Sequence, residues 1–500
     1  MNTAIVENTS TWANDPKDLL DLSLLDILDI LIQHPPPFAI NALVQSPSQI
    51  AKMSLRYVDF EGPDDPSIPF NWSIRKRVYI SILLGLLTMV VAMASSIFTS
   101  AIPTVIMMYN IDREVATLGV SLYVLGFATG PLCWAPFSEL KGRKLPLVTS
   151  TFGFTIFCFA TAVSKDLQSL IILRYFTGFF GAGPLTLSGA VYADIFPPYQ
   201  RGIAMVGFCL MVFIGPLTAP FIGGFTVMNQ SLGWRWTAYI PGILGGVIFV
   251  LLLTTMRETY APVLLGWKAD RLRREQGDWS IHAKHEEICL DLRTIIADYV
   301  SLPLKMLALD PIVLCMSVFA SFVYGLLYLF LTAYPIIFQQ IHGMNPGVGG
   351  LPYIGIVVGQ LFGALGVFAM QPWVLRQMER NGGIIMPEWR LPIAIPGAVA
   401  PTISGILTGF GLLTMFLPSI AYVVEARPKK AASAVAAHTF LRSLAGAIFP
   451  LFASYMFDAL GVEWACTLLG CVAALLIPIP LLLYIYGAQI RNRSSLSDQS

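Results

Sequence analysis

The stretch Tyr79–Ala101, YISILLGLLTMVVAMASSIFTSA, contains no charged residue. About 20 consecutive apolar residues are what one helix needs to cross the hydrocarbon core of a bilayer. Further runs of the same kind lie at roughly 116–137, 146–163, 169–193, 202–226, 236–255, 311–336, 350–370, 401–424, 431–456 and 464–488. Of the 500 residues, 55% are hydrophobic and only 12% are charged, and the mean hydropathy is +0.68. A soluble chain carries about a quarter charged residues. The expected fold class is therefore an all-α polytopic membrane protein.

The same composition excludes other classes. A net charge of +1 gives no basis for nucleic-acid binding. The seven cysteines form no CxxC, and the few histidines lack metal-ligand spacing, so neither a disulfide framework nor a metal site is expected. No GxxxxGK[ST] motif is present, which argues against ATP-driven work, and no catalytic constellation is visible. A non-enzyme without cofactors is expected. Asp15, Asp18 and Asp21 stand where a signal peptide needs basic and apolar residues. The first apolar run must act as its own insertion signal.

Charge divides the chain. Residues 1–78 are polar, with an amphipathic helix expected over Asp18–Ile32. Residues 79–255 form a first group of six runs. Residues 256–310 carry Arg257, Lys268, Arg271, Arg273, Arg274, Lys284, Arg293 and Lys305 and read as a cytosolic central loop. Residues 311–490 form a second group, and 491–500 a short tail. Such a split suggests the repeated halves of a secondary transporter. Lysine and arginine favour cytoplasmic loops. Arg75–Arg77, Lys141–Lys144, Arg201, the central loop, and Arg376, Arg380 and Arg390 then face the cytosol, while Arg113, Lys165 and Arg235 face outward. Both termini are expected in the cytosol. One place breaks the rule. Arg427, Lys429 and Lys430 should also face inward, which requires two crossings after Arg390. Only a ten-residue stub, Leu391–Ala400, and the run from 401 are available. The ninth span is expected to be truncated near 391–400.

Four motifs carry chemistry. The second connection reads GPLCWAPFSELKGRK, Gly130 to Lys144. Gly142 permits a tight reversal, Arg143 and Lys144 anchor the loop, and Glu139 is the expected ion-pair partner beside them. The fourth run reads ILRYFTGFFGAG, and Arg174 inside it must face protein because a guanidinium in lipid costs at least about 2.5 kcal/mol. Gly178 and Ala182 follow at one-turn spacing and invite close helix approach. The fifth run reads GPLTAPFIGG, with Gly215, Ala219 and Gly223 on one face, Gly224 beside them, and Pro216 and Pro220 removing backbone donors. The run at 431–456 contains Arg442 with His438 one turn before it. His438 in its neutral form suits a site beside a guanidinium. No Asp or Glu falls well inside a run; Asp194 and Glu425 sit at run ends. Asp194 and Glu139, near Arg201, read as parts of a cytoplasmic gate.

These motifs resemble the major facilitator superfamily, whose loop has the form G-x-x-x-D-R-x-G-R-K. Gly142, Arg143 and Lys144 match it, with Ala135, Glu139 and Leu140 as departures. The A-P-x-S-E-x-x-G-R variant, VDFEGPDDP, ETYAPVLL, VYGLLYLFLTAYPIIF, GVGGLPYIG and HTFLRSLAGAIFPLF are similar to fungal twelve-span drug:proton antiporters of the polyamine, multidrug and cycloheximide-resistance branch. The resemblance implies two six-helix bundles rocking around a central site. It implies that Arg174 and Gly178 belong to an R-x-x-x-G motif of proton coupling, alongside the plain alternative of an arginine bound to backbone carbonyls. It implies that Gly215, Pro216, Ala219, Pro220, Gly223 and Gly224 form the exporters' antiporter motif. His438 stands where the family usually has Asn, and a coupling role is expected for His438 and Arg442. Tyr123, Tyr324, Tyr334 and Tyr353 are candidate pocket residues. The expected function is proton-coupled export of hydrophobic or cationic small molecules such as drugs, toxins, polyamines or secondary metabolites. Its partners are substrate, protons and the lipid bilayer, and the protein is expected to act as a monomer in the plasma or vacuolar membrane. A nutrient symporter, or an inactive or receptor-like remnant, is the alternative.

Overall fold

The structure, a computed structural model, describes residues 56–62, 65–287, 301–380, 391, 405–426 and 431–493. The helix expected over Asp18–Ile32 and the stub after Leu391 lie outside the described residues. Helix α1 (Ile74–Ser96) continues through a tighter turn, Ile97–Ala101, into α2 (Ile102–Tyr109), which ends on Asn110 in the left-handed conformation at φ 49°. Then come α3 (Arg113–Thr129), α4 (Pro131–Lys141), α5 (Lys144–Ala162), α6 (Leu167–Ile195), α7 (Pro198–Met228) and α8 (Trp236–Thr255). After α9 (Ala261–Gln276) and α10 (Leu302–Leu309), the second half holds α11 (Pro311–Tyr334), α12 (Pro352–Arg380), α13 (Gly405–Ala426), α14 (Ala431–Leu476) and α15 (Pro478–Arg493).

Ten helical stretches among the described residues are long and apolar enough to cross a membrane. The last of them, Ser433–Gly487, runs across Gly461, whose φ of 70° breaks α14, and it therefore covers two of the apolar runs read from sequence. Local chemistry sets the helix ends. Asp166 caps α6 by accepting from the Ser169 N–H at 2.9 Å, and Asp310 caps α11 through the Ile312 N–H at 3.1 Å. Pro335 closes α11, and the chain continues as a wider-wound π turn, Pro335–Ile341.

The two halves repeat one packing scheme. In the first, α1 packs along α7 and α3 along α6; in the second, α11 packs along α14 and α12 along α13. The halves meet symmetrically, α3 against α14 and α7 against α12. Glycine makes the tightest crossings. A Cβ on Gly178 of α6 would collide with the Tyr123 carbonyl of α3, and one on Gly409 of α13 with the Ile356 carbonyl of α12. Helices in lipid gain from such close backbone approach because no hydrophobic force drives them together there, and close packing does so instead.

A second compact unit takes in residues 268–276 of α9 and a short parallel pair of strands, β1 (Arg56–Tyr57) with β2 (Ile281–His282). Within it Arg273 pairs with Asp270.

Candidate functional site

Arg174 is 3% exposed and fully engaged. Its Nε donates to the Gly119 carbonyl at 2.8 Å, Nη1 to the Ala94 carbonyl at 2.8 Å and Nη2 to the Ser95 carbonyl at 3.1 Å. The guanidinium also lies 4.5 Å from the Tyr123 ring centre and 4.9 Å from that of Phe98. One side chain from α6 thus ties α1 to α3. The bonding pattern is that of an arginine held by backbone carbonyls, and no carboxylate takes part among the described residues. Tyr123 completes the knot by donating to the Val91 carbonyl at 2.9 Å.

Arg442 in the second half is 6% exposed and its surroundings differ. It lies 4.9 Å from the Tyr324 ring centre and 4.8 Å from that of Phe416, which repeats the aromatic bracket. Its Nε and Nη1, however, are buried with no hydrogen-bond partner among the described residues. His438, one turn earlier on α14, is wholly buried, and both of its ring nitrogens lack partners there too. The two arginines are linked through the interface. Arg174 holds the Ser95 carbonyl, the Ser95 hydroxyl meets the Tyr328 hydroxyl at 2.8 Å, and the Tyr328 ring lies 5.1 Å from that of Tyr324. Ser95 and Tyr328 belong to different halves, as do Phe213 and Phe416, whose rings meet edge-on at 4.7 Å.

The GPLTAPFIGG face of α7 is turned onto α1. A Cβ on Gly215 would collide with the Met89 carbonyl, and one on Gly223 would sit 2.9 Å from the Ile97 carbonyl. Ala219 is fully buried in the same seam. Pro220 has no N–H, so the Pro216 carbonyl one turn earlier loses its helical donor. The Ser96 hydroxyl replaces that donor at 3.0 Å, and Ser100 donates to the Pro220 carbonyl at 3.2 Å. Gly224 faces the other half, where a Cβ would strike the Pro346 carbonyl.

At the basic-loop end, Gly142 adopts φ 86°, a region that disfavours side chains. Arg143 does not pair with Glu139, the partner expected from their spacing. Its Nε bonds Asp194 at 3.0 Å and its Nη1 donates to the Ser138 hydroxyl at 2.7 Å. The guanidinium lies 4.4 Å from the Tyr260 ring centre. Glu258, 5% exposed and given no role by the sequence reading, is the hub. It accepts from the N–H of Arg143 at 2.7 Å and of Lys144 at 3.1 Å, capping α5, and from its own neighbours Thr259 and Tyr260, each at 2.9 Å. A Cβ on Gly142 would run into that carboxylate. Arg201 donates to the Ala193 carbonyl at 3.0 Å at the end of α6. This clasp pins α5, α6 and the segment after α8 within the first half.

At the opposite end a cavity of about 190 Å³ opens between the halves, lined by Thr99, Arg113, Pro220, Tyr328, Gln339 and Pro346 among others. None of Tyr123, Tyr324, Tyr334 and Tyr353 lines it. Tyr324 brackets Arg442, while Tyr334 and Tyr353 pack on each other at 4.7 Å and Tyr353 donates to the Phe330 carbonyl at 3.0 Å. Tyr328, one turn beyond Tyr324, is the tyrosine that reaches the cavity.

The sequence profile of the Major Facilitator Superfamily matches residues 84–405. The chain belongs to the major facilitator superfamily. It is 40% identical over 462 residues to a major facilitator superfamily multidrug transporter of Candida albicans, covering 88% of this chain and 76% of that one. It is 43% identical over 458 residues to a multidrug transporter of Candida glabrata, covering 87% and 79%. A citrinin biosynthesis cluster transporter of Monascus ruber is 39% identical over 462 residues, covering 88% and 92%. Among solved structures, a human organic anion transporter aligns with a TM-score of 0.57 at 17% identity, over 82% of this chain and 100% of that one. A bacterial homologue of a human lysosomal transporter, captured facing inward, aligns with a TM-score of 0.51 at 15% identity, over 85% and 99%. The resemblance to the fungal antiporter branch is borne out by these relatives. As a major facilitator, this multi-pass membrane protein places its two buried arginines in equivalent aromatic brackets on the two sides of the interface between its halves.

Proposed function

We propose that the protein exports hydrophobic small molecules against inward proton flow, by alternating access between its two halves. The observation that carries this reading is the fit of the GPLTAPFIGG face onto α1. Its glycines meet carbonyls of that helix directly, and Ser96 repairs the bond that Pro220 removes. A seam so closely fitted holds α1 and α7 as one rigid piece. The halves can then part along the sparser cross-contacts, Ser95 with Tyr328 and Phe213 with Phe416. Relatives named as multidrug transporters support a broad range of drug substrates. Basic loops on the cytosolic face, both termini inside, a plasma-membrane location and a monomeric state complete the reading.

Arg174 acts in this scheme as a positioning residue. An arginine keeps its proton in proteins, so coupling runs through what Arg174 holds and not through its own titration. Inside-out vesicles carrying the protein test the function directly. Nile red should accumulate only when the vesicle interior is acidic, and a protonophore should abolish the accumulation. Accumulation indifferent to the protonophore, or driven by the reverse gradient, contradicts proton-driven export.

A further inference from the structure

Arg442 offers something that Arg174 does not. Both guanidiniums are bracketed by two aromatic rings and both are more than nine-tenths buried. Arg174 spends its donors on three carbonyls, whereas the Nε and Nη1 of Arg442 meet no acceptor among the described residues. His438, one turn away on the same face, has both nitrogens unpartnered as well. A buried cation without an acceptor is costly, and strongly perturbed charges cluster at functional sites. The guanidinium fork matches a carboxylate bidentately. No described acidic side chain takes the place of that carboxylate.

Access is built into the interface. Phe416, which stacks against Arg442, is also the ring that Phe213 of the other half covers edge-on at 4.7 Å. Parting of the halves at that contact uncovers the Phe416 face and the guanidinium beside it. From the other end, Tyr324 alone stands between Arg442 and Tyr328, which lines the cavity. Tyr324 and Phe416 flank the guanidinium, so the rest of a ligand bound there would lie on rings.

We propose that Arg442, with Tyr324 and Phe416, is the binding site for the carboxylate of a flat aromatic acid, which makes such acids a substrate class of this transporter. This rests on the exporter reading for its physiological sense, but it is tested by binding alone. The full-length protein in detergent is titrated with 1-naphthoate and with its neutral isostere 1-naphthamide, following intrinsic fluorescence and calorimetry. The wild-type protein should bind the acid about tenfold more tightly than the amide, the least that one charge-assisted contact supplies. Arg442→Gln should bring the two affinities within about twofold, and Arg442→Lys should keep a reduced preference for the acid. The wild-type comparison requires no variant to fold. Equal affinities, or binding of neither probe, overturns the proposal. A preference for the acid that survives Arg442→Gln and disappears in Arg113→Gln, at the cavity mouth, places the anion elsewhere and overturns it too. Failure of proton-driven export in vesicles would leave an Arg442-dependent acid preference standing, so the two readings fail separately.

Discussion

The first half of the molecule closes its arginine and the second leaves its arginine open. Arg174 and Arg442 share depth, aromatic brackets and a place beside the interface, yet one has three carbonyl acceptors and the other, among the described residues, has none at Nε and Nη1. Repetition of the helix packing makes the contrast meaningful. Where α3 crosses α6 and α12 crosses α13, glycines meet carbonyls in the same way in both halves. The scaffold is therefore duplicated while the polar chemistry laid on it is not.

Several substitutions would break or sharpen this contrast. The largest effects belong to the shared scaffold. Gly178→Val and Gly409→Val should each cost at least about 3 kcal/mol, since backbone carbonyls, not flexible side chains, stand in the way. Folded yield by size-exclusion fluorescence should fall alike for both, and a large difference between them would undo the equivalence of the two crossings. Next comes Arg174→Gln. Glutamine restores part of this bonding, so the net loss should be about 1.5–3 kcal/mol, with a melting temperature several degrees lower and vesicle transport lost alongside. Glu258→Gln should cost about 1–2 kcal/mol by weakening the cap on Arg143 and Lys144, and should raise protease sensitivity of the loop at Gly142. Arg442→Gln should cost about 1 kcal/mol, from the ring contacts, because it breaks no hydrogen bond at Nε or Nη1 among the described residues.

The smallest effect is expected at Asp166, outside the membrane spans. Its bond from the Ser169 N–H holds its carboxyl below the usual carboxylate range. A depressed folded value means that the stabilisation is present at neutral pH and fades as pH falls through that value. Asp166→Asn should therefore lower the melting temperature slightly at neutral pH and not at all in strong acid, as a pH series of melting curves would show.

The sequence made the spans legible because lipid demands long uncharged runs; Tyr79–Ala101 falls within the helical stretch that runs from Ile74 to Tyr109. It pointed to Gly142, whose turn is a local matter, and to the α7 face, whose period is local as well. It paired Arg143 with Glu139 because only near neighbours are visible in a linear pattern, while the real partner, Asp194, arrives on another helix. Glu258 and Ser96 escaped for the same reason. Their work is to supply missing partners to backbone groups more than a hundred residues away, 115 for Glu258 and Arg143 and 120 for Ser96 and Pro216. Tyr324 and Tyr328 are one turn apart with the same composition around them, and nothing in the sequence distinguishes the ring under Arg442 from the one on the cavity floor.

The asymmetry of the two arginines can be observed directly by recording the guanidinium Nε–H signals of nitrogen-15-arginine-labelled protein, assigned by single Arg→Lys replacements, with and without 1-naphthoate. The Arg442 signal should exchange faster than the Arg174 signal in the free protein, because its Nε–H has no acceptor among the described residues, and should move when the acid is added, while the Arg174 signal stays unmoved. An Arg174 signal that shifts with the acid, or an Arg442 signal that ignores it, would contradict the account.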